Sequence, residues 1–220
     1  ALNWAIPVYA HIPLIHGEDG KKLSKRNAAT SVIEYKKMGY PAAAMRNYLA
    51  RLGWSHGDDE FFTDEQAKTW FNLQSIGKSP SRFDFKKLSN ISKLHIANTD
   101  NAALLHELTG YLKAVGQPAF SQAQLNGLLK SLDFTKNAVK SLSELIEKNR
   151  FILQERPIFL DPDIEERIED LPLNILKILT PQLQNVRWER NYLEDLLNLV
   201  CEQTELKFRD VAPILRAALA

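Results

Sequence analysis

The sequence predicts a mainly all-α protein with a short mixed α/β segment at its N-terminal end. Two observations predict this class. Beyond Asp100, leucines recur every three or four residues in one stretch after another, which puts them on one face of a helix. Before that region a single run, Val8 to Ile15, is apolar, is punctuated by Pro13 and ends in the turn Gly17-Glu18-Asp19-Gly20, as a strand would.

The elements follow in order. After the strand, Ser31-Val32-Ile33-Glu34 reads as a capping box opening a helix that stops near Gly39. Pro41 suits the first turn of the next helix and Gly53 its end, with Met45, Leu49 and Leu52 on one stripe and Trp54 packing the following loop against it. Thr63-Asp64-Glu65-Gln66 is a second capping box, leading to Ala67, Trp70 and Phe71. Ser79-Pro80-Ser81 is a break, and Asp84 suits the cap of the helix after it. Leu104, Leu105, Leu108, Tyr111 and Leu112 share one amphipathic face, closed by Gly116 and Pro118. Leu125, Leu128, Leu129 and Leu132 form a second face, and Val139, Leu142, Leu145 and Ile146 a third. Asn191 with Glu194 starts a fourth helix through Cys201, and Asp210 caps a fifth with Pro213 in its first turn. The stretch holding Pro157, Pro162, Pro172 and Pro181 is the most broken and divides two helical subdomains.

Composition sets limits. Apolar residues make up 45% and charged residues 25% of 220, ordinary for a folded protein with a real core. The net charge is +1, so the molecule as a whole carries no strong nucleic-acid footprint. Its distribution is uneven: residues 1–56 hold eight Lys/Arg against three Asp/Glu, and residues 101–220 fourteen against seventeen. Phosphate contacts would therefore concentrate at one end. A single cysteine excludes an internal disulfide framework, and Cys201 shares a helical face with Leu193, Leu196, Leu197 and Val200, as a buried inert thiol would. His11 and His16 lie five apart in the expected strand, on opposite faces, so no metal site is expected. No leader or membrane-length apolar run is present, and a reducing cytoplasm is the expected setting.

The chemistry concentrates in Lys21-Lys22-Leu23-Ser24-Lys25-Arg26, which follows the Gly17–Gly20 turn. Four cations and a hydroxyl within six residues, beside glycines that admit close backbone approach, suit a polyphosphate. A solvated basic loop has the same residues.

The surrounding residues give that run a context. His11-Ile12-Pro13-Leu14-Ile15, Gly20 to Arg26, Tyr35, and Asn47-Tyr48-Leu49-Ala50-Arg51-Leu52-Gly53-Trp54-Ser55 together resemble bacterial glutamyl-tRNA synthetases. Lys22-Leu23-Ser24-Lys25-Arg26 is similar to that family's form of the lysine-rich signature loop of class I synthetases. The resemblance continues at Ser79 to Asp84 with Lys87-Leu88, and at Lys207-Phe208 and Leu215-Arg216-Ala217-Ala218-Leu219. No counterpart of the class I signature of two histidines around Ile-Gly is present, which implies the C-terminal portion of a longer enzyme, trimmed at its end and inactive alone.

The resemblance implies a division of labour. Residues 1–99 would close the catalytic domain with the signature loop and a fold that touches the inner side of tRNA. Residues 100–170 and 171–220 would be two helical anticodon-binding subdomains. In the parent enzyme, ATP with Mg2+ and glutamate give glutamyl-adenylate, and glutamate then passes to its tRNA. Lys25 would stabilise the departing pyrophosphate, Lys22 and Ser24 would assist, the Leu23 backbone would lie beside the adenine, and Arg26 would support the loop. Arg46 and Arg51 are candidate tRNA phosphate contacts, with a surface salt bridge as the alternative for each. Arg187, Arg190 and Arg209 are candidate anticodon contacts, while Trp188 is expected in the core. The protein is expected to be a monomer with no membrane partner. A paralogue that glutamylates a modified tRNA nucleoside would lack the long helical tail, and a glutamine-specific relative would show alternating strands there. A different class of reading is a helical RNA- or protein-binding adaptor with the basic loop as a docking patch.

Overall fold

A computed structural model describes residues 4, 5, 7–9, 11–23, 31–154 and 174–219, with side chains through residue 215. Two compact units divide between Leu153 and Gln154.

The first unit opens with β1 (Ile15–His16), which pairs in parallel with β2 (Ser81–Arg82), Ile15 opposite Ser81 and His16 opposite Arg82. The strand expected over Val8 to Ile15 is thus confined to its end. Its partner is only two residues long, Pro13 has no N–H to give to a ladder, and Val8 is 99% exposed. The chain then forms α1 (Val32–Lys37), α2 (Ala42–Arg51), α3 (Asp64–Trp70), α4 (Phe85–Asn98), α5 (Asn101–Ala114), α6 (Gln122–Thr135), α7 (Leu142–Lys148) and α8 (Arg150–Leu153).

Local chemistry explains most of these boundaries. Thr63 and Gln66 form the full reciprocal capping box ahead of α3, and Ser121 with Gln124 does the same for α6. Asp84 caps α4, its Oδ1 accepting from Lys86 N at 2.8 Å and Lys87 N at 3.1 Å. The box expected at Ser31 forms only half. Ser31 Oγ accepts from Ile33 N, but Glu34 turns to Lys37 Nζ at 2.9 Å instead of reaching back. Gly39 ends this region with φ +88°, and a Cβ there would stand 2.7 Å from Ser143 N. Only glycine lets the chain pass so close, and its carbonyl accepts from Leu142 N at 2.8 Å, tying the end of α1 to the start of α7.

Two cores fill the unit, and α4 serves both. Its N-terminal half sends Leu88 and Ile91 into a cluster with Tyr35, Ala44, Met45, Tyr48 and Phe83. Its C-terminal Ile96 joins Leu104, Leu108, Leu132, Val139, Leu142 and Leu145. Each fully buried leucine contributes about 1.5–3 kcal/mol of transfer free energy. The stripe on α2 is rotated from the expected one: Ala44, Met45 and Tyr48 are buried, while Leu49 faces out. Tyr48 takes the central position because its hydroxyl also accepts from Asp84 N at 2.6 Å. Trp54 is buried as expected, but against Phe62 and Phe71, with ring centroids 5.5 and 5.9 Å away.

The second unit packs α9 (Asn174–Leu183), α10 (Arg190–Thr204) and α11 (Phe208–Leu219) around Ile175, Leu179, Val200, Val211 and Ile214. Cys201 lies partly buried against this core. Two expected caps move. Helix α10 begins at Arg190, ahead of Asn191, because Arg190 Nε pairs with Glu194 Oε1 at 2.8 Å across one turn. Helix α11 begins at Phe208, so Asp210 lies inside its first turn, accepting from Lys207 N at 3.3 Å, and Pro213 falls in the second. Among the described residues no helix is long and apolar enough to cross a membrane.

Candidate functional site

The basic run follows a stapled turn of the first unit. Gly17 N donates to Lys21 O at 2.8 Å, Gly20 N to Gly17 O at 3.0 Å, and Lys21 N to Asp19 Oδ1 at 3.0 Å. Gly20 has φ +76°, which glycine alone adopts freely. Leu23 N then donates to Ile15 O at 2.9 Å, and the Leu23 side chain packs on the first core. Lys22 is exposed and bridges to His16. Lys22 and Leu23 are thereby placed at the edge of the small sheet, while Ser24, Lys25 and Arg26 lie outside the described residues. Sequence reasoning missed Arg82. It sits opposite His16 in β2, and its Nη2 would be 3.4 Å from a Cβ on Gly20, so a cation flanks the turn from the other strand. Its signal was available in the Ser79–Asp84 segment.

Arg46 and Arg51 both lie on α2 but face different partners. Arg46 forms a two-pronged ion pair with Asp64, Nε to Oδ1 at 3.0 Å and Nη2 to Oδ2 at 2.6 Å. Hydrogen bonding to Arg46 holds the Asp64 carboxyl below its usual range. Both side chains are substantially exposed, so the pair is worth only about 0–1 kcal/mol. It does occupy the fork that a phosphate would take. Arg51 Nη1 donates to the Asp59 carbonyl and has no acidic partner among the described residues.

Beneath Arg46 lies a polar hub that sequence spacing does not reveal. Asn47 is 2% exposed and donates from Nδ2 to Glu60 O at 3.1 Å. That orientation aims Oδ1 at Phe62 N (3.1 Å) and at His95 Nε2 (2.9 Å), so His95 donates from Nε2. Burial pushes His95 down to about 4, with the Asp64 charge opposing that and the Arg46 charge adding to it. The unfolded chain therefore binds the proton between pH 6.5 and about 4 while the folded one does not. This contribution to stability is complete above pH 6.5 and is lost as pH falls towards 4. Urea unfolding at pH 7 and pH 4.5 should show a drop that His95→Gln reduces; an identical drop in the variant would contradict the assignment.

The remaining candidates belong to the second unit. Arg187, Trp188, Arg190 and Tyr192 cluster where α9 gives way to α10. The Arg187 guanidinium lies 5.4 Å from the Tyr192 ring centroid and Nη1 donates to the Tyr192 hydroxyl at 3.2 Å. Trp188 is 70% exposed, which corrects its expected place in the core. The reason is local: α10 turns Leu196 and Leu197 towards the core of the unit, and the connector carrying Trp188 has Glu189 N bonded to Arg187 O, a tight turn on the surface. Arg209 lies on α11 beside Asp210, apart in sequence from this group and likewise exposed.

Comparison with known proteins adds a family. Residues 1–90 match the class I tRNA synthetase (E and Q) catalytic domain family. Residues 102–220 match the anticodon binding domain family. Over all 220 residues the chain is 55% identical to glutamate–tRNA ligase 1 of Jannaschia sp. (strain CCS1) and 56% identical to glutamate–tRNA ligase 2 of Ruegeria pomeroyi. It spans 47% of the length of each, about half of the curated relatives it matches. A glutamate tRNA ligase structure from Elizabethkingia meningosepticum shares the fold with a TM-score of 0.76 at 22% identity, over 100% of this chain and 47% of that one.

Proposed function

We propose that this chain, which belongs to the class I tRNA synthetases (E and Q) with an anticodon binding domain, is the part of a glutamate–tRNA ligase that grips the ATP phosphates and holds the tRNA. One observation carries the reading. Catalytic-domain sequence runs through residue 90 and anticodon-binding sequence from residue 102, in the same order along relatives 55% and 56% identical that are named glutamate–tRNA ligases.

In this reading glutamate attacks the α-phosphate of ATP, giving glutamyl-adenylate and pyrophosphate, and the glutamyl group then passes to the terminal ribose of the tRNA. Magnesium enters with ATP as part of the substrate. Lys25 stabilises charge on the departing pyrophosphate, with Lys22 and Ser24 beside it, the Leu23 backbone against the adenine and Arg26 in support. A mobile point charge suits a group whose negative charge grows during the reaction. The pinned turn at Gly17–Leu23 supports this role, because it fixes the backbone of Leu23 directly ahead of Ser24 and Lys25 in the sequence. Residues 1–99 serve the catalytic side and the inner face of the tRNA, where Arg51 is the readier contact and Arg46 would first have to leave Asp64. Residues 100–170 and 171–220 serve the anticodon, with Arg187, Arg190 and Arg209 as candidate contacts. The working setting is the cytoplasm and the working form a monomer.

The exposed Trp188 gives the test its handle. The exposed indole of Trp188 offers a face on which an unpaired base can stack, worth about 1–3 kcal/mol by alanine substitution. A competition titration at two salt concentrations would use glutamate tRNA and a variant with an altered anticodon. The expected result is selective binding that survives the salt increase and that Trp188→Ala weakens by about tenfold. Equal binding of the two tRNAs at both salts would overturn the anticodon role.

A further inference from the structure

Helices α1, α2 and α5, with the first residue of α7, surround a pocket of about 440 Å³ in the first unit. That is the size a small-molecule ligand needs. The pocket shares no residue with the Gly17–Leu23 turn. We propose that it binds a guanine nucleotide, with Glu107 and Arg46 reading the edge of the base and Lys36 meeting its phosphate.

Three observations support it. First, the pocket offers a slot for a flat apolar ring. Met45 and Leu142 are buried in its wall, while Val32, Ile33 and Leu49 line it and stay exposed. Gly110 stands inside α5, where glycine weakens a helix relative to alanine. A Cβ there would meet nothing within 4 Å, so no neighbour among the described residues requires the glycine. A ring lying against the α5 backbone would require it. Second, the polar groups match the edge of guanine. The Glu107 carboxylate makes no hydrogen bond or ion pair among the described residues. Burial raises its pKa above the ordinary value, with the Arg46 and His106 charges opposing that. Its two oxygens can accept from N1–H and from the N2 amino group, which stand side by side on guanine. Arg46 gives Nε and Nη2 to Asp64, which leaves Nη1 to donate to O6. Adenine carries a lone pair at N1 where guanine carries N–H, so a carboxylate repels it. Third, Lys36 lines the pocket from one turn beyond Val32, is exposed and has no acidic partner among the described residues. A single cation suits one phosphate group, whereas an RNA strand is held by a track of them.

The experiment uses the 220-residue chain with 13C-labelled methyl groups on its two methionines. Met45 lines the pocket and Met38 does not, so one reports on the site and the other is the control. GMP is expected to shift the Met45 resonance to saturation and to leave Met38 in place. AMP should bind at least about tenfold more weakly, the discrimination that one bidentate pair supplies. Glu107→Gln removes the charge and one acceptor, and should weaken GMP by at least about tenfold while leaving AMP unchanged. Lys36→Gln should bring the affinity for GMP close to that for guanosine. Gly110→Leu fills the open space beside α5 and should abolish the Met45 shift, with urea unfolding showing that the fold is kept. A Met45 resonance that GMP does not move would overturn the site. Equal affinity for GMP and AMP, or GMP binding that Glu107→Gln leaves unchanged, would overturn the guanine assignment. A short single-stranded RNA with one guanine that moves Met45 at lower concentration than GMP would overturn the free nucleotide in favour of an unpaired RNA base.

Discussion

Replacing Lys25 by alanine in the full-length enzyme is expected to slow glutamyl-adenylate formation by about 10²–10³, on the order of 3–4 kcal/mol of transition-state stabilisation, by analogy with removal of one preorganised oxyanion donor. The effect should fall on the chemical step. Charge on the departing pyrophosphate develops as the bond to the α-phosphate breaks, so a cation placed there acts on the transition state more than on bound ATP. The anchoring of the loop sharpens the expectation. Leu23 is tied to Ile15 and packed on the core, so a substitution two residues further on changes charge without moving the base of the loop. Affinity for tRNA should change little, since one cation contributes about one unit of salt slope at most. Pyrophosphate exchange and tRNA titration on the same preparation separate these outcomes. An unchanged exchange rate with severely weakened tRNA binding would reassign Lys25 from ATP to RNA.

The largest effect on folding is expected from Asn47→Ala. One buried amide satisfies the Glu60 carbonyl, the Phe62 amide and His95 Nε2 at once. Removing it strands the buried Phe62 N–H and His95 Nε2, while the carbonyl of the exposed Glu60 can turn to water; each stranded group costs about 1–3 kcal/mol, so a total loss of about 2–6 kcal/mol is expected. Asn47→Asp should not restore the hub, because a carboxylate cannot donate to Glu60 O. The damage should spread to α3, whose Thr63 cap and Asp64 follow directly on the Glu60–Phe62 segment, and so release Arg46. Urea unfolding of the variant gives the magnitude. A loss under about 1 kcal/mol would show that water replaces the amide without cost.

The amino-acid sequence alone determined the helical class and several of the caps that start its helices. Those features are local. A hydroxyl or carboxylate that meets free amides two or three residues ahead acts within one turn, so Thr63 and Asp84 are legible without knowing what packs around them. The sequence also marked the basic run and the glycine turn before it, because its four cations lie within six residues along the chain.

Only the tertiary structure decided which of those features face one another. The strand shortened to Ile15–His16 because its partner, more than sixty residues later, offers two residues of edge. The α2 stripe turned towards Tyr48 because a distant helix start, at Asp84, supplied its hydroxyl with a hydrogen bond. Arg46 and Arg51 are equivalent in sequence, yet Asp64 reaches one and not the other. Trp188 reads as core by composition and stands in solvent because the described helices of its unit close over other side chains. Glu107 joined Lys36 and Arg46 across three helices, a grouping that no spacing along the chain encodes. In each case the deciding interaction spans many residues, and its energy depends on burial and distance, which exist only once the chain has folded.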